Sequence, residues 1–470
     1  MNLSSPRLRL ATASLVLGAA LGAQDAPGFY REVLPLLQAR CTSCHQPAKA
    51  KDELVLSSHA DLMRGKGEGD EREAVVVPFD PDASLLLSSV LGKDGEAPAM
   101  PEKGAPLSSG EVELLRRWIA AGALDDTPPG VASPSRKEQP PRYRQAPVVT
   151  SLAWSPDGAW LAVNGRNEVL LHDLRDEAAA PRRLIGLAER IEAIAFSPDG
   201  TRLCVVGGAP GRFGEAQLWS LADDRLLWSR VVTPDCLFGV SWSPDGKLVA
   251  FGATDTAVRA LDAGNGEPVL FQGAHDDWVL GTVFSLDGSH LITVGRDRTM
   301  KLTKVESQQF IDDITSITPG ARKGGLVAVT RHPTRDELLV GGADGTPRLY
   351  RSFREKKRVI GDDFNLIRAF PAFDGRIFAV AFLGDGARIA AAASVARGGE
   401  LRVFRSEDAS PRWEHRCGGS LFAVAASPVG TQLATAGFDG VVEILDAGDG
   451  ALRRRFVPVP IDADAPGAAR

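Results

Sequence analysis

Clustered basic charge, a disulfide framework and long apolar runs are what this chain of 470 residues has least of, and each absence removes a class of function. The formal net charge is −6, from 54 Lys and Arg against 60 Asp and Glu. Nucleic acid demands a concentrated basic face, so no nucleic-acid partner is expected. The cysteines number five, and Cys204, Cys236 and Cys417 are scattered singly, which does not describe a small disulfide-stapled scaffold. These three read as small hydrophobes buried in strands. The one apolar run of note, Leu10 to Leu21, follows Arg7 and Arg9 and ends among the small residues Ala20, Gly22 and Ala23. It is short for a bilayer span and predicts a cleaved export signal over residues 1–23, a retained anchor being the other reading of the same run. No later segment approaches spanning length, so after cleavage no transmembrane span is expected, and the mature chain is expected in the periplasm or otherwise exported. A nucleophile elbow, a P-loop and a dinucleotide fingerprint are missing too, and no catalytic residue is assigned.

What is present divides in two. Residues 126–147 are rich in Pro, Ser and charge (DTPPGVASPSRKEQPPRYRQAP) and predict an extended linker. Upstream, over residues 24–125, the pattern is helical. Phe29, Val33, Leu36 and Leu37 share one helical face, with Pro35 expected to kink or split the run. Ser108 and Glu111 form a capping box ahead of the stripe Val112, Leu115, Trp118 and Ile119, and Gly122 is a left-handed stop.

Downstream, over residues 148–462, short alternating runs repeat, leaving a tail at 463–470. Turns of the type SPDG open each unit at Ser155, Ser197 and Ser243, with variants at Ser285, His332, Leu383 and Ser427, roughly 45 residues apart, the period of a four-stranded propeller blade. A second register agrees. Asp255, Asp297, Asp344 and Asp439 each precede an equivalent strand end at Leu261, Thr303, Tyr350 and Leu445, and Trp219, Phe404 and His172 stand there in the other units. Seven such units cannot bury their faces alone but can in a ring. The expectation is a small all-α domain followed by an all-β seven-bladed propeller, whose outer strand is completed by either Pro141–Arg144 or Ala451–Pro460.

The segment that carries chemistry is Cys41-Thr42-Ser43-Cys44-His45. Two thiols at this spacing can add to the two vinyl groups of a haem, and the adjacent imidazole can take the iron. A thioredoxin-like dithiol would need a βαβ setting, and a zinc site a second pair of soft ligands, and neither is evident nearby. The expected cofactor is therefore one covalent haem c, with Cys41 and Cys44 as thioether anchors and His45 as proximal iron ligand. For the distal ligand the domain offers Met63, Met100 and His59, and Met100, in a loop just ahead of the capped helix, is preferred.

Two family resemblances attach to these residues. In order, FYREVLPLLQARCTSCH, ELVLSS, VVPFDPDASLLLSSV and AMPEKGAPLSSGEVELLRRWIAAGA resemble the planctomycete-type cytochrome c domain. That resemblance implies the same roles for Cys41, Cys44, His45 and Met100. The chain departs from the pattern at Gln46, where Gly is usual, and at Glu102, where a second Pro is usual. The downstream units resemble WD40 repeats, most closely at Gly273-Ala274-His275 with Gly295-Arg296-Asp297, while the Trp-Asp signature is degraded elsewhere. In that family the histidine bonds a turn aspartate such as Asp297, a structural role.

Three functions remain open. The first is an electron-transfer cytochrome whose propeller docks a redox partner protein. The second is a periplasmic oxidoreductase whose propeller binds a small substrate and passes electrons to the haem. The third is a scaffold with the haem as sensor. A propeller fold does not choose among them.

Overall fold

The computed structural model describes residues 26–462 apart from positions 68, 70, 71, 93–95, 130, 132, 133, 317–323, 358, 360 and 361. The expected export signal at 1–23 and the tail at 463–470 lie outside the described residues. Residues within Met1–Leu34 and Ala74–Gly130 form one compact unit, and those within Pro35–Glu73 and Val131–Arg470 form the other.

A π-helical turn, Phe29–Val33, leads into α1 (Leu34–Arg40). Pro35 sits just inside α1, where it has no N–H to give and its ring crowds the carbonyl four residues back. The backbone answers by widening, and the Leu34 N–H bonds the Phe29 carbonyl five residues back. The interruption expected at Pro35 is therefore a change of helix pitch. Among the described residues three further α-helices follow: α2 (His59–Arg64), α3 (Leu85–Val90) and α4 (Ser109–Ala120).

In the first unit, Phe29, Val33, Leu86, Leu87, Leu115, Trp118 and Ile119 are all buried. The Phe29 and Trp118 rings lie 6.0 Å apart, and the Trp118 Nε1–H donates to the Leu124 carbonyl at 3.1 Å. Both ends of α4 follow the sequence. Ser108 and Glu111 make the reciprocal capping box. At the other end Gly122, at φ +98°, lets its own N–H reach Ile119 and that of Ala123 reach Trp118.

The second unit holds seven antiparallel sheets of four strands, each built from consecutive strands. They span 152–185, 190–233, 237–272, 279–313, 326–369, 375–417 and 421–456, here blades 1 to 7. First strands of neighbouring blades touch in sequence, and that of blade 7 meets that of blade 1, which closes the ring. Blade faces bury against each other. Cys204, Val206 and Leu218 of blade 2, for example, pack on Leu237, Val249 and Phe251 of blade 3.

Each of the seven expected turns joins the first and second strands of its blade. Their recurring aspartates make turns, as the repetition implied: Asp157, Asp199, Asp245 and Asp287 each accept the backbone N–H two residues on. The second register is also real. His172, Trp219, Leu261, Thr303, Tyr350, Phe404 and Leu445 are all the penultimate residue of a third strand.

Leu452–Phe456 takes the outer-strand position of blade 7. Pro141–Arg144 does not act as an outer strand. Tyr143 makes a single parallel bridge to Ile461, because its ring is drawn into a cluster with Val459 and with Leu170 of blade 1. Its hydroxyl donates to the fully buried Glu168 at 2.6 Å, and that carboxylate also receives Arg183 at 2.7 and 2.6 Å.

Candidate functional site

Helix α1 ends immediately before the Cys-x-x-Cys-His segment. The N–H groups of Cys41 and Thr42 both reach the Leu37 carbonyl, at 2.8 and 2.9 Å. The next turn closes on itself, with the N–H groups of Cys44 and His45 both bonding the Cys41 carbonyl at 3.1 Å. This brings Cys41, Cys44 and His45 onto one turn. Neither cysteine is in a disulfide, and both are half-buried.

Side chains brace the turn from within. Thr42 and Gln46 are fully buried. The Thr42 hydroxyl donates to the Gln38 carbonyl at 3.1 Å, and the Gln46 amide donates to the Thr42 carbonyl at 2.8 Å. Gln46, a departure from the family pattern, therefore staples the turn through its side chain, which Gly could not do.

After His45 the chain folds back as a two-residue ladder, His45–Gln46 against Lys49–Ala50. This delivers the Lys51 carbonyl to His45 Nδ1 at 3.1 Å. A carbonyl can only accept, so Nδ1 carries the proton and Nε2 keeps its lone pair. The imidazole is buried, and that burial lowers its pKa against the opposing pull of the Lys51 and Leu54 carbonyls. The neutral form is the one that ligates a metal.

The ladder also rests on the propeller. Lys49 Nζ donates to the Leu227 carbonyl of blade 2 at 2.8 Å, and Ala48 packs on the core that includes Trp219 and Leu226. Further along, the buried Asp61 of α2 is held by Ser58, by Arg64 at 3.0 Å and by Arg136. Sequence reasoning missed both anchors, since each joins residues far apart in the chain.

Met100 belongs to the first unit, half-buried, with its N–H on the Ser89 carbonyl at 2.9 Å. The other distal alternatives, Met63 and His59, are both on α2 and half-buried.

On the propeller, His275 is structural. Its Nδ1 pairs with Asp297 at 2.8 Å and its Nε2 with Thr293 at 2.7 Å. Beside it the Trp278 ring is stacked on Phe238 at 5.9 Å and covered by Arg296 at 4.6 Å. Of the scattered cysteines, Cys204 and Cys236 are buried as expected. Cys417 is not a buried hydrophobe. It is half-buried with its thiol 3.2 Å from a Glu443 oxygen that also bonds His415 at 2.7 Å. His415 and Cys417 stand two apart on an alternating strand, the one local hint that they share a face. Among the described residues no helix is long and apolar enough to cross a membrane.

Comparison with known proteins agrees with the division of the chain. Residues 41–104 match the family described as planctomycete cytochrome C. Residues 142–171 and 266–303 match the WD domain, G-beta repeat. Eukaryotic translation initiation factor 3 subunit I of Kluyveromyces lactis is 24% identical over 265 residues, 53% of this chain and 63% of that protein. WD repeat and SOCS box-containing protein 1 of Homo sapiens is 28% identical over 174 residues, 34% of this chain and 40% of that protein. An uncharacterized WD repeat-containing protein of Synechocystis is 30% identical over 102 residues, 22% of this chain and 28% of that protein. The chain thus spans less than two thirds of each of these relatives. A cytochrome c-like domain beside a WD40 propeller supports a protein-interaction scaffold.

Proposed function

Since this chain joins a planctomycete cytochrome C domain to a WD40-repeat propeller, we infer that it is an exported electron-transfer cytochrome with one covalent haem c, whose propeller docks a protein redox partner. The observation that carries this reading is the turn at Cys41–His45. It holds two cysteines outside any disulfide beside an imidazole whose burial lowers its pKa and whose Nδ1 faces a carbonyl. That donor set fits a haem: two sulfurs for its vinyl groups and one nitrogen for its iron.

Haem bound there supplies a one-electron iron couple. Cys41 and Cys44 would anchor it covalently, which would keep it from being lost to the surroundings of an exported protein. His45 offers Nε2 to the iron, and its bond to Lys51 holds the ring in place and makes the nitrogen a better donor. The staple from Gln46 and the lysine strut to Leu227 keep the turn from unwinding. Met100 is the proposed distal ligand, and a thioether there raises the reduction potential. For partner docking, Trp278, Phe238 and Arg296 form an aromatic–Arg group of the kind that dominates protein interfaces. Export through the signal at 1–23 puts the protein in the periplasm or an equivalent compartment.

Spectroelectrochemistry of the full chain, made in an exporting host with cytochrome c maturation, tests the reading. A reversible one-electron wave with a low-spin reduced spectrum is expected. A chain with no redox-active chromophore would overturn it.

A further inference from the structure

We propose that His415, Cys417 and Glu443 form a binding site for a divalent transition metal of the zinc class, on the seam between blades 6 and 7 and independent of the haem. The last strand of blade 6, Pro411–Cys417, carries His415 and Cys417 two residues apart, so alternation points both side chains the same way. Across the seam, Glu443 projects from the third strand of blade 7, Val442–Asp446. One ligand atom from each residue lies within 4.8 Å of the other two.

The contacts have the form of a metal cluster held together by protons. A single carboxylate oxygen, Glu443 Oε2, takes both the imidazole Nε2 at 2.7 Å and the thiol at 3.2 Å. The other oxygen faces Arg455 Nε at 3.4 Å, an outer partner that aims the carboxylate. Bonds of about 2.0–2.3 Å to a tetrahedral ion separate its ligand atoms by about 3.3–3.7 Å. The Glu443 oxygen therefore needs to draw away from the other two ligand atoms by less than about 1 Å to admit one. As the ion enters, the Cys417 S–H and His415 Nε2–H bonds break, both protons leave to solvent while the ring keeps or takes its single proton on Nδ1, and sulfur–metal and nitrogen–metal bonds form in their place.

The donor types choose the metal. Thiolate and imidazole favour zinc and its neighbours, whereas calcium and magnesium want oxygen alone. Three protein ligands leave the fourth tetrahedral position for water, and His415 is 22% exposed, which gives that position access.

The test uses the full chain with Cys41→Ser and Cys44→Ser, which removes the haem chromophore and the competing thiols. After chelator treatment it is titrated with Co²⁺ and then with Zn²⁺. One equivalent of Co²⁺ should bind with a near-ultraviolet thiolate charge-transfer band that Zn²⁺ displaces. Adding Cys417→Ser should abolish the band, and Glu443→Gln should weaken affinity about tenfold or more, with the far-ultraviolet circular dichroism unchanged. Absence of the band in the folded parent, or its persistence after Cys417→Ser, overturns the proposal. In parallel, the zinc content of the unsubstituted chain should fall by one equivalent on His415→Ala, and an unchanged content also overturns it.

Discussion

The turn at His45 and the turn at His275 each bury an imidazole, yet they place it in opposite settings. At His275 both ring nitrogens are spent inside the protein, on Asp297 and Thr293, so the side chain can only hold blade 4 together. At His45 one nitrogen is fixed by a backbone carbonyl and the tautomer leaves a lone pair on the other, beside two cysteines outside any disulfide. Burial alone therefore does not mark a ligand. What marks it is a polar atom that the fold orients without consuming.

The largest expected effect breaks the His45 side of this contrast. Cys41→Ser with Cys44→Ser should abolish covalent haem on a denaturing gel stained for haem, while the β signal of the propeller in circular dichroism persists. Met100→Ala should keep the haem attached but lower the potential and let cyanide reach the iron, read by potentiometry and absorption.

The His275 side should answer only in stability. His275→Ala removes the bonds to Asp297 and Thr293, costing about 2–4 kcal/mol in a urea melt with haem content unchanged. Burial pushes the Asp297 carboxyl up, but His275 and the N–H groups of Asp276 and Thr299 outweigh it and hold it at about 2. A depressed carboxylate stabilises the fold above its ordinary pKa of 3.8 and loses that contribution as pH falls towards 2, so the variant should have a flatter acid limb there.

His172 sharpens the comparison as a third kind, with Nε2 buried and unpartnered beside the Phe456 ring. Burial lowers its pKa from 6.5 to about 4. The unfolded chain takes the proton first, so stability is full above pH 6.5 and falls as pH drops to 4. His172→Phe, matching the aromatic of blade 6, should remove this loss, worth about 2–3 kcal/mol near pH 4 in thermal melts. The smallest effect is expected from Glu111→Ala, which halves the capping box of α4 and costs about 1 kcal/mol of stability.

How much the sequence revealed follows the same line. The blades were legible because one local rule, a tight turn between alternating runs, is written seven times, with Asp-Gly in five of them, and the strand-end register repeats it. The Cys41–His45 turn was legible because its atoms are adjacent in the chain. Hidden were contacts whose partners lie far apart. Lys49 gives no sign that it will find a carbonyl at Leu227, nor Asp61 that Arg136 will cover it. Tyr143 reads as part of a strand until Glu168 and Ile461 draw it into a single bridge. Glu443 looks like any polar residue on an alternating strand, and only the packing of blade 7 on blade 6 sets it against His415 and Cys417.

Covalent haem on Cys41 and Cys44 is the central claim, and acid–acetone extraction of the full chain, matured in an exporting host, tests it most directly. The account predicts that the visible colour stays with the polypeptide and maps to the peptide containing Cys41 and Cys44. Colour that passes into the organic phase, or a colourless protein, would contradict it.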